Sequence, residues 1–222
     1  MTYPALRWLP LLLALVPSVL RAEESPAAPD AALVQRAEKI VAPLQLADAA
    51  QIARIRDLVA AQYAALRPVH EARDSAIKAA RALAGADKDA VDAAVKVARD
   101  TAAARQGELH YAFLARLAVE LSPAQMEQIK DGMTYGVCPN TFKVYQEMLP
   151  DLTPEQRAQI LAWLTEAREH AMDAGSSDEK HGWFGKYKGR INNYLSKAGY
   201  DMKQAERDMF ARKKSAASAP AK

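Results

Sequence analysis

The residue types best suited to hold a ligand are gathered in one stretch, Gly175–Tyr200. It contains five of the nine glycines, five of the fifteen aromatic residues and two of the three asparagines. Placed on a helix, Trp183, Tyr187, Arg190 and Tyr194 fall on one stripe and Phe184, Lys188, Ile191 and Leu195 on a second. Gly182, Lys186, Gly189 and Asn193 make a third. Glycine inside a helix costs about 1 kcal/mol relative to alanine, so Gly182, Gly185 and Gly189 call for a compensating close approach by a neighbouring backbone or by a ligand. One reading is a tight packing seam with the aromatics in the core. The other is a polar and aromatic wall. On it Trp183 or Tyr187 stacks against the apolar face of a sugar ring, while Arg190, Asn192 and Asn193 bond its hydroxyls. The segment Gly132–Thr141 is a candidate second wall. The ligand-binding set expected on this reading is Tyr135, Asn140, His181, Trp183, Tyr187, Arg190, Asn192 and Asn193. Lys180, Lys186, Lys188, Arg190 and Lys197 also make this helix basic, as either a solvated face or a seat for an anion.

Signals for reactive chemistry are weaker. His70, His110, His170 and His181 are scattered, with no H-E-x-x-H or Cys/His cluster. Glu166 and His170 share a helical face, but two ligands do not make a metal site, so neither metal nor cofactor is expected. Ser177–Lys180 and Ser75–Lys78 both spell S-x-x-K, without the S-D-N and K-T-G partners of serine acyl enzymes. Asp173, Asp178 and Glu179 could pair as acid and base near His181, as in glycoside cleavage. Helix capping explains Asp178 and Glu179 more simply. No catalytic residue is assigned, and the balance is against an enzyme.

The elements that must position these residues read as helices throughout. Ile52, Ile55, Val59, Tyr63 and Leu66 recur at three and four, and Pro68 should kink or break that helix. A turn at Gly85-Ala86-Asp87, with Asp87 as N-cap, leads to a second long helix ending near Glu120. The two form an Ala-rich antiparallel hairpin over residues 46–120, a scaffold more than a rich core. Next comes an internal echo: Leu121–Ile129 matches Leu152–Ile160 at six of nine positions, counting Ser and Thr as equivalent. Ser122 and Thr153 are N-caps, Pro123 and Pro154 sit at the first helical position, and Gln125 and Gln156 complete capping boxes. Leu121 and Leu152 stand ready as hydrophobic staples. Ser176 and Glu179 offer a third box. The Gly, Pro and Asn content of residues 131–141 predicts an irregular loop. No alternating pattern survives, so the fold class expected is all-α, the hairpin followed by a compact helical half over residues 121–211.

Flanking segments speak to location. Arg7, the apolar run Trp8–Val16, and Ala22 before Glu23 form a secretory signal peptide, predicting a periplasmic or secreted protein. Residues 23–45 read as a flexible leader and 212–222 as a disordered tail. Removing residues 1–22 takes away Arg7 and Arg21 and moves the formal charge from +3 to about +1. So weak a field gives no footing for nucleic acid, and the apolar run is too short for a lasting membrane span. The lone Cys138 has no internal disulfide partner and, between Val137 and Pro139, should be buried.

Two resemblances rest on these residues. The L-[ST]-P-x-Q pair resembles the LTxxQ motif of the Spy/CpxP periplasmic chaperones and stress sensors, which implies all-helical, non-catalytic proteins acting on unfolded or envelope proteins. Over Leu46–Tyr200, and most strongly at Met133–Thr141, Ala162–Ser177 and Gly185–Leu195, the chain resembles a bacterial family of exported proteins of unknown function. That family carries a sugar-binding description. What this resemblance implies is an exported binding protein for a carbohydrate or another polar small molecule. A hydrolase is the remaining alternative.

Overall fold

The structure, a computed structural model, describes residues 30–82 and 87–218, with side chains to residue 215. The expected signal peptide, residues 1–22, and the expected turn at Gly85-Ala86 therefore lie outside the described residues. Those residues contain eight α-helices, one short 3-10 turn at Ala42–Leu44 and no strand. The helices are α1 (Ala31–Val41), α2 (Ala49–Arg81), α3 (Lys88–Glu120), α4 (Pro123–Met133), α5 (Val137–Met148), α6 (Pro154–Met172), α7 (Ser177–Lys197) and α8 (Met202–Ser218). None is long and apolar enough to cross a membrane.

Helices α2 and α3 form the expected antiparallel pair. At its base Gln51 Nε2 donates to the Glu120 carbonyl at 2.6 Å and Arg54 bonds the Glu120 carboxylate at 2.8 Å, while further along His70 meets Gln106 at 3.3 Å. Asp87 caps α3 by accepting from the Asp89 N–H. Pro68 does not end α2, which continues to Arg81. Proline removes one N–H, but Leu66 and His70 beside it are buried, and their packing outweighs a single lost bond on an exposed edge.

The capping boxes at α4 and α6 are both closed: Ser122 and Thr153 accept from the N–H groups of Gln125 and Gln156, whose side chains bond back to the caps. Leu121 and Leu152, each just before its cap, are both buried; Leu121 has Met126 at the staple position, but α6 has Arg157 there, so Leu152 forms no staple. At α7, Ser176 accepts from the Glu179 N–H, but the Glu179 carboxylate takes the Gly175 N–H and Arg73 instead.

Three segments differ from the sequence expectation. Residues 31–41, inside the expected leader, form α1, capped by Asp30 and held to α2 by an Arg67–Asp30 ion pair. Ala37, Ile40 and Val41 bury one face of α1 against Ile55, Phe113 and Ile129; the three-and-four spacing was present, masked by the Pro/Ala text before it. Residues 134–136 are the only non-helical part of the expected loop, and Tyr135 and Gly136 turn the chain with φ of 59° and 65°. Gly132 lies inside α4, where an added Cβ would sit 3.0 Å from Ile40 Cγ2, so its bareness permits the α1–α4 contact. Finally α8 continues through Lys213 into the expected tail. Arg212 donates to the Glu147 carbonyl and Lys213 pairs with the Glu147 carboxylate, each at 2.8 Å.

Two apolar clusters share α6. One joins α1 to α4 through Val59, Leu117 and Met133; the other joins α5, α6 and α7 through Cys138, Leu164, Phe184 and Ile191. Cys138 is a free, buried thiol, and burial pushes its pKa up to about 11.

Candidate functional site

Where the hairpin leaves the second cluster, α2, α3, the end of α6 and the start of α7 enclose a groove of about 880 Å³. That is within the range of small-molecule sites. The floor is a set of ionic hydrogen bonds. His110 of α3 bonds Asp173 through Nδ1 at 2.7 Å and faces Glu169 through Nε2 at 3.5 Å. Asp173 is anchored from α2 by Gln62 at 3.2 Å. Glu169 is tied to Lys130 at 3.2 Å and to the buried Arg168, which also holds Asp131 at 2.8 Å and Glu127.

These contacts decide protonation. Hydrogen bonds donated to Asp173 and then to Glu169 raise His110 to about 9, so it is an imidazolium at neutral pH. Burial opposes ionisation of Glu169, but His110, Lys130 and Arg168 outweigh it and hold the group at about 2. Both ring nitrogens of His110 face carboxylates, so the ring is not free to take a proton. Glu169 does not store one. The floor is a rigid, charged hydrogen-bonding surface.

The walls bring other chemistry. From α7, Trp183 is half-buried; His170 stacks on it with centroids 4.3 Å apart and planes 15° apart, and Lys186 Nζ lies 5.0 Å from its ring centre. From α3, Tyr111 stands 74 % exposed beside His110, and Gln106 lines the same wall. From α2, Arg73 is pinned between Asp74 at 2.8 Å and Glu179 at 2.6 Å. Arg81 and Arg99 line the outer end, and neither has a carboxylate partner among the described residues. Behind the wall His70 is buried, its Nε2 without a hydrogen-bond partner, and burial lowers its pKa. Its ring fills the space beside Gly175, where a Cβ would lie 2.8 Å from His70 Cγ. That glycine lets the α6–α7 joint close against α2.

The eight residues expected to bind ligand do not converge. Trp183 alone lines the groove. Tyr135, 47 % exposed, stacks on His181 at 5.8 Å at the α4–α5 turn, on another face. Arg190 and Asn193 lie farther along α7, with the Arg190 guanidinium 4.6 Å from the Trp163 ring centre. Asn192 accepts from the Tyr145 hydroxyl at 2.7 Å and fastens α7 to α5. Tyr187 is 5 % exposed and is core, with burial raising its pKa to about 12. Asn140 is exposed on the first turn of α5. Of the basic series, Lys180 is not solvated: it is 3 % exposed and donates to the carbonyls of Met133, Ala171 and Met172, so one ammonium closes the ends of two helices. Burial, with Arg36 nearby, lowers it to about 8.

Sequence reasoning missed Arg73, Gln106, Tyr111 and Glu169 and left His110 unassigned. Within each helix the spacing was visible, Gln106 to His110 and Glu169 to Asp173 at i,i+4, but only the fold brings α2, α3 and α6 to one place. Among the described residues no group of three or more His, Cys, Asp or Glu is placed to hold a metal ion.

The profile of a family described as protein of unknown function (DUF3826) matches residues 31–215. The chain belongs to the DUF3826 family. The match takes in α1 through α7, most of α8 and every residue of the groove. No curated protein matches the chain.

Proposed function

We propose that this member of the DUF3826 family is an exported, non-catalytic binding protein whose ligand is a carbohydrate seated in the α2–α3–α6–α7 groove. The observation that carries this reading is one concavity combining a half-buried indole with fixed polar groups: Trp183 on one side, Tyr111 and Gln106 opposite, and the His110–Asp173–Glu169 set as floor. A sugar presents an apolar ring face and a hydroxyl edge, and this pairing of aromatic and ionic hydrogen-bonding partners suits both. The signal sequence adds a periplasmic or secreted location. The hydrolase alternative is disfavoured because His110 is engaged at both nitrogens and Glu169 titrates at about 2. A chaperone of the LTxxQ kind finds no support in the twin motifs, since their polar atoms are consumed in capping boxes.

Titration of the mature protein with a glycan panel, followed by tryptophan fluorescence, tests the reading. Trp183→Ala should abolish binding while keeping helical content, because a half-buried wall residue contributes less to the core than Phe184 behind it. Wild type binding no member of the panel would refute it.

A further inference from the structure

Resting on that groove reading, we infer that the ligand is an anionic chain of several sugar rings lying along α7, and not a single sugar. The groove does not stop at Trp183. Lys186 lines both it and a second depression of about 600 Å³, bounded by Trp163, Gly189, Arg190, Asn193 and Lys197. Trp183 and Arg190 are seven residues apart on one helix, about 10 Å along its axis, so the two depressions form one track with an indole in each half.

The track has two further properties. Each indole carries a cation, Lys186 over Trp183 and Arg190 over Trp163, and no carboxylate lines the second depression. Arg190 has one acidic neighbour, Glu166 at 3.8 Å, while Lys186 and Lys197 have none among the described residues. The groove is also lined by Asp74, Glu169, Asp173 and Glu179, but each of these is already paired, with Arg73, Lys130, His110 and Arg73 respectively, so Arg81 and Arg99 in the groove and Lys186, Arg190 and Lys197 along α7 are the under-neutralised cations. Guanidinium and ammonium groups with no acid of their own suit a carboxylated ligand. The space above the helix is also open: a Cβ added at Gly182, Gly185 or Gly189 would meet nothing within 4 Å. Gly182 in the groove and Gly189 in the second depression thus leave room for a ligand instead of packing another helix.

The test is calorimetric titration of the mature protein with alginate-derived oligouronates, a dimer and an octamer, against neutral malto-oligosaccharides of equal length. The octamer should bind about tenfold more tightly than the dimer, a gain that a few exposed ion pairs supply, and added salt should erode the difference. Gly189→Tyr, which fills the second depression from an open position, should remove the length gain while the dimer still binds in the groove. Arg190→Glu with Lys197→Glu should do the same without adding bulk. Equal affinity for dimer and octamer, or a neutral octamer binding as tightly as the charged one, overturns this inference while leaving the groove reading standing. No binding of any glycan overturns both.

Discussion

Replacing glycines by alanine separates the two roles glycine plays in this chain. Gly182, Gly185 and Gly189 lie inside α7 with nothing within 4 Å of an added Cβ, so alanine meets no clash there. Each substitution should stabilise by about 0.5–1 kcal/mol, through better helix propensity and a less flexible unfolded chain. The triple variant should gain at most their sum, about 1.5–3 kcal/mol, since as i,i+3 and i,i+4 neighbours in α7 the sites need not add fully. For a chain of this size that is a rise of about 3–12 °C in Tm. Gly175 is the contrast: its Cβ would stand 2.8 Å from the buried His70 ring, outside any helix, so there is overpacking without a propensity gain. Gly175→Ala should destabilise by about 1–3 kcal/mol. Thermal and denaturant unfolding followed by circular dichroism reads both. A triple variant that melts below wild type would refute the reasoning, because it would mean the α7 glycines are packing seats after all.

His110 makes stability depend on pH. Its pKa is raised from 6.5 to about 9 in the folded state, so its contribution is fully present below about 6.5 and is lost as pH rises through 9. That loss should reach at most about 3 kcal/mol and should show as a shrinking stability difference between wild type and His110→Gln as pH rises from about 6.5 to 9; an unchanged difference across that window would contradict it. Cys138, buried with a pKa near 11, should resist a thiol reagent at neutral pH until the protein is unfolded, as read by mass spectrometry. Ser122→Ala and Thr153→Ala should each cost about 1 kcal/mol in denaturant melts, and their effects should add, since the two capping boxes are separate.

Much of this fold is written locally. The twin caps and the antiparallel hairpin depend on spacings of three and four residues and on side chains bonding their own helix start, which a sequence displays directly. The errors fall where neighbouring structure overrides a local signal. Pro68 is carried through α2 by the packing of Leu66 and His70, and the glycine of Gly132 reads as a loop until Ile40 of α1 is set against it. The candidate site was legible only through Trp183. Its other members sit on α2, α3 and α6, and a bond such as His110–Asp173 spans 63 residues that no helical period encodes. Lys180 shows the opposite failure: a lysine among lysines reads as a solvated face, yet this one ends against three carbonyls.

On the proposed reading, ligand seats in the groove with α3 on one side and α7 on the other. Hydrogen exchange on the mature protein, with and without saturating oligouronate octamer, maps that directly. Exchange should slow in α7 around Trp183–Gly189 and in α3 around Gln106–Tyr111, with the α4–α5 turn at Tyr135 unaffected. Protection confined to that turn, or none at α3 and α7, would place the ligand elsewhere and overturn the groove reading.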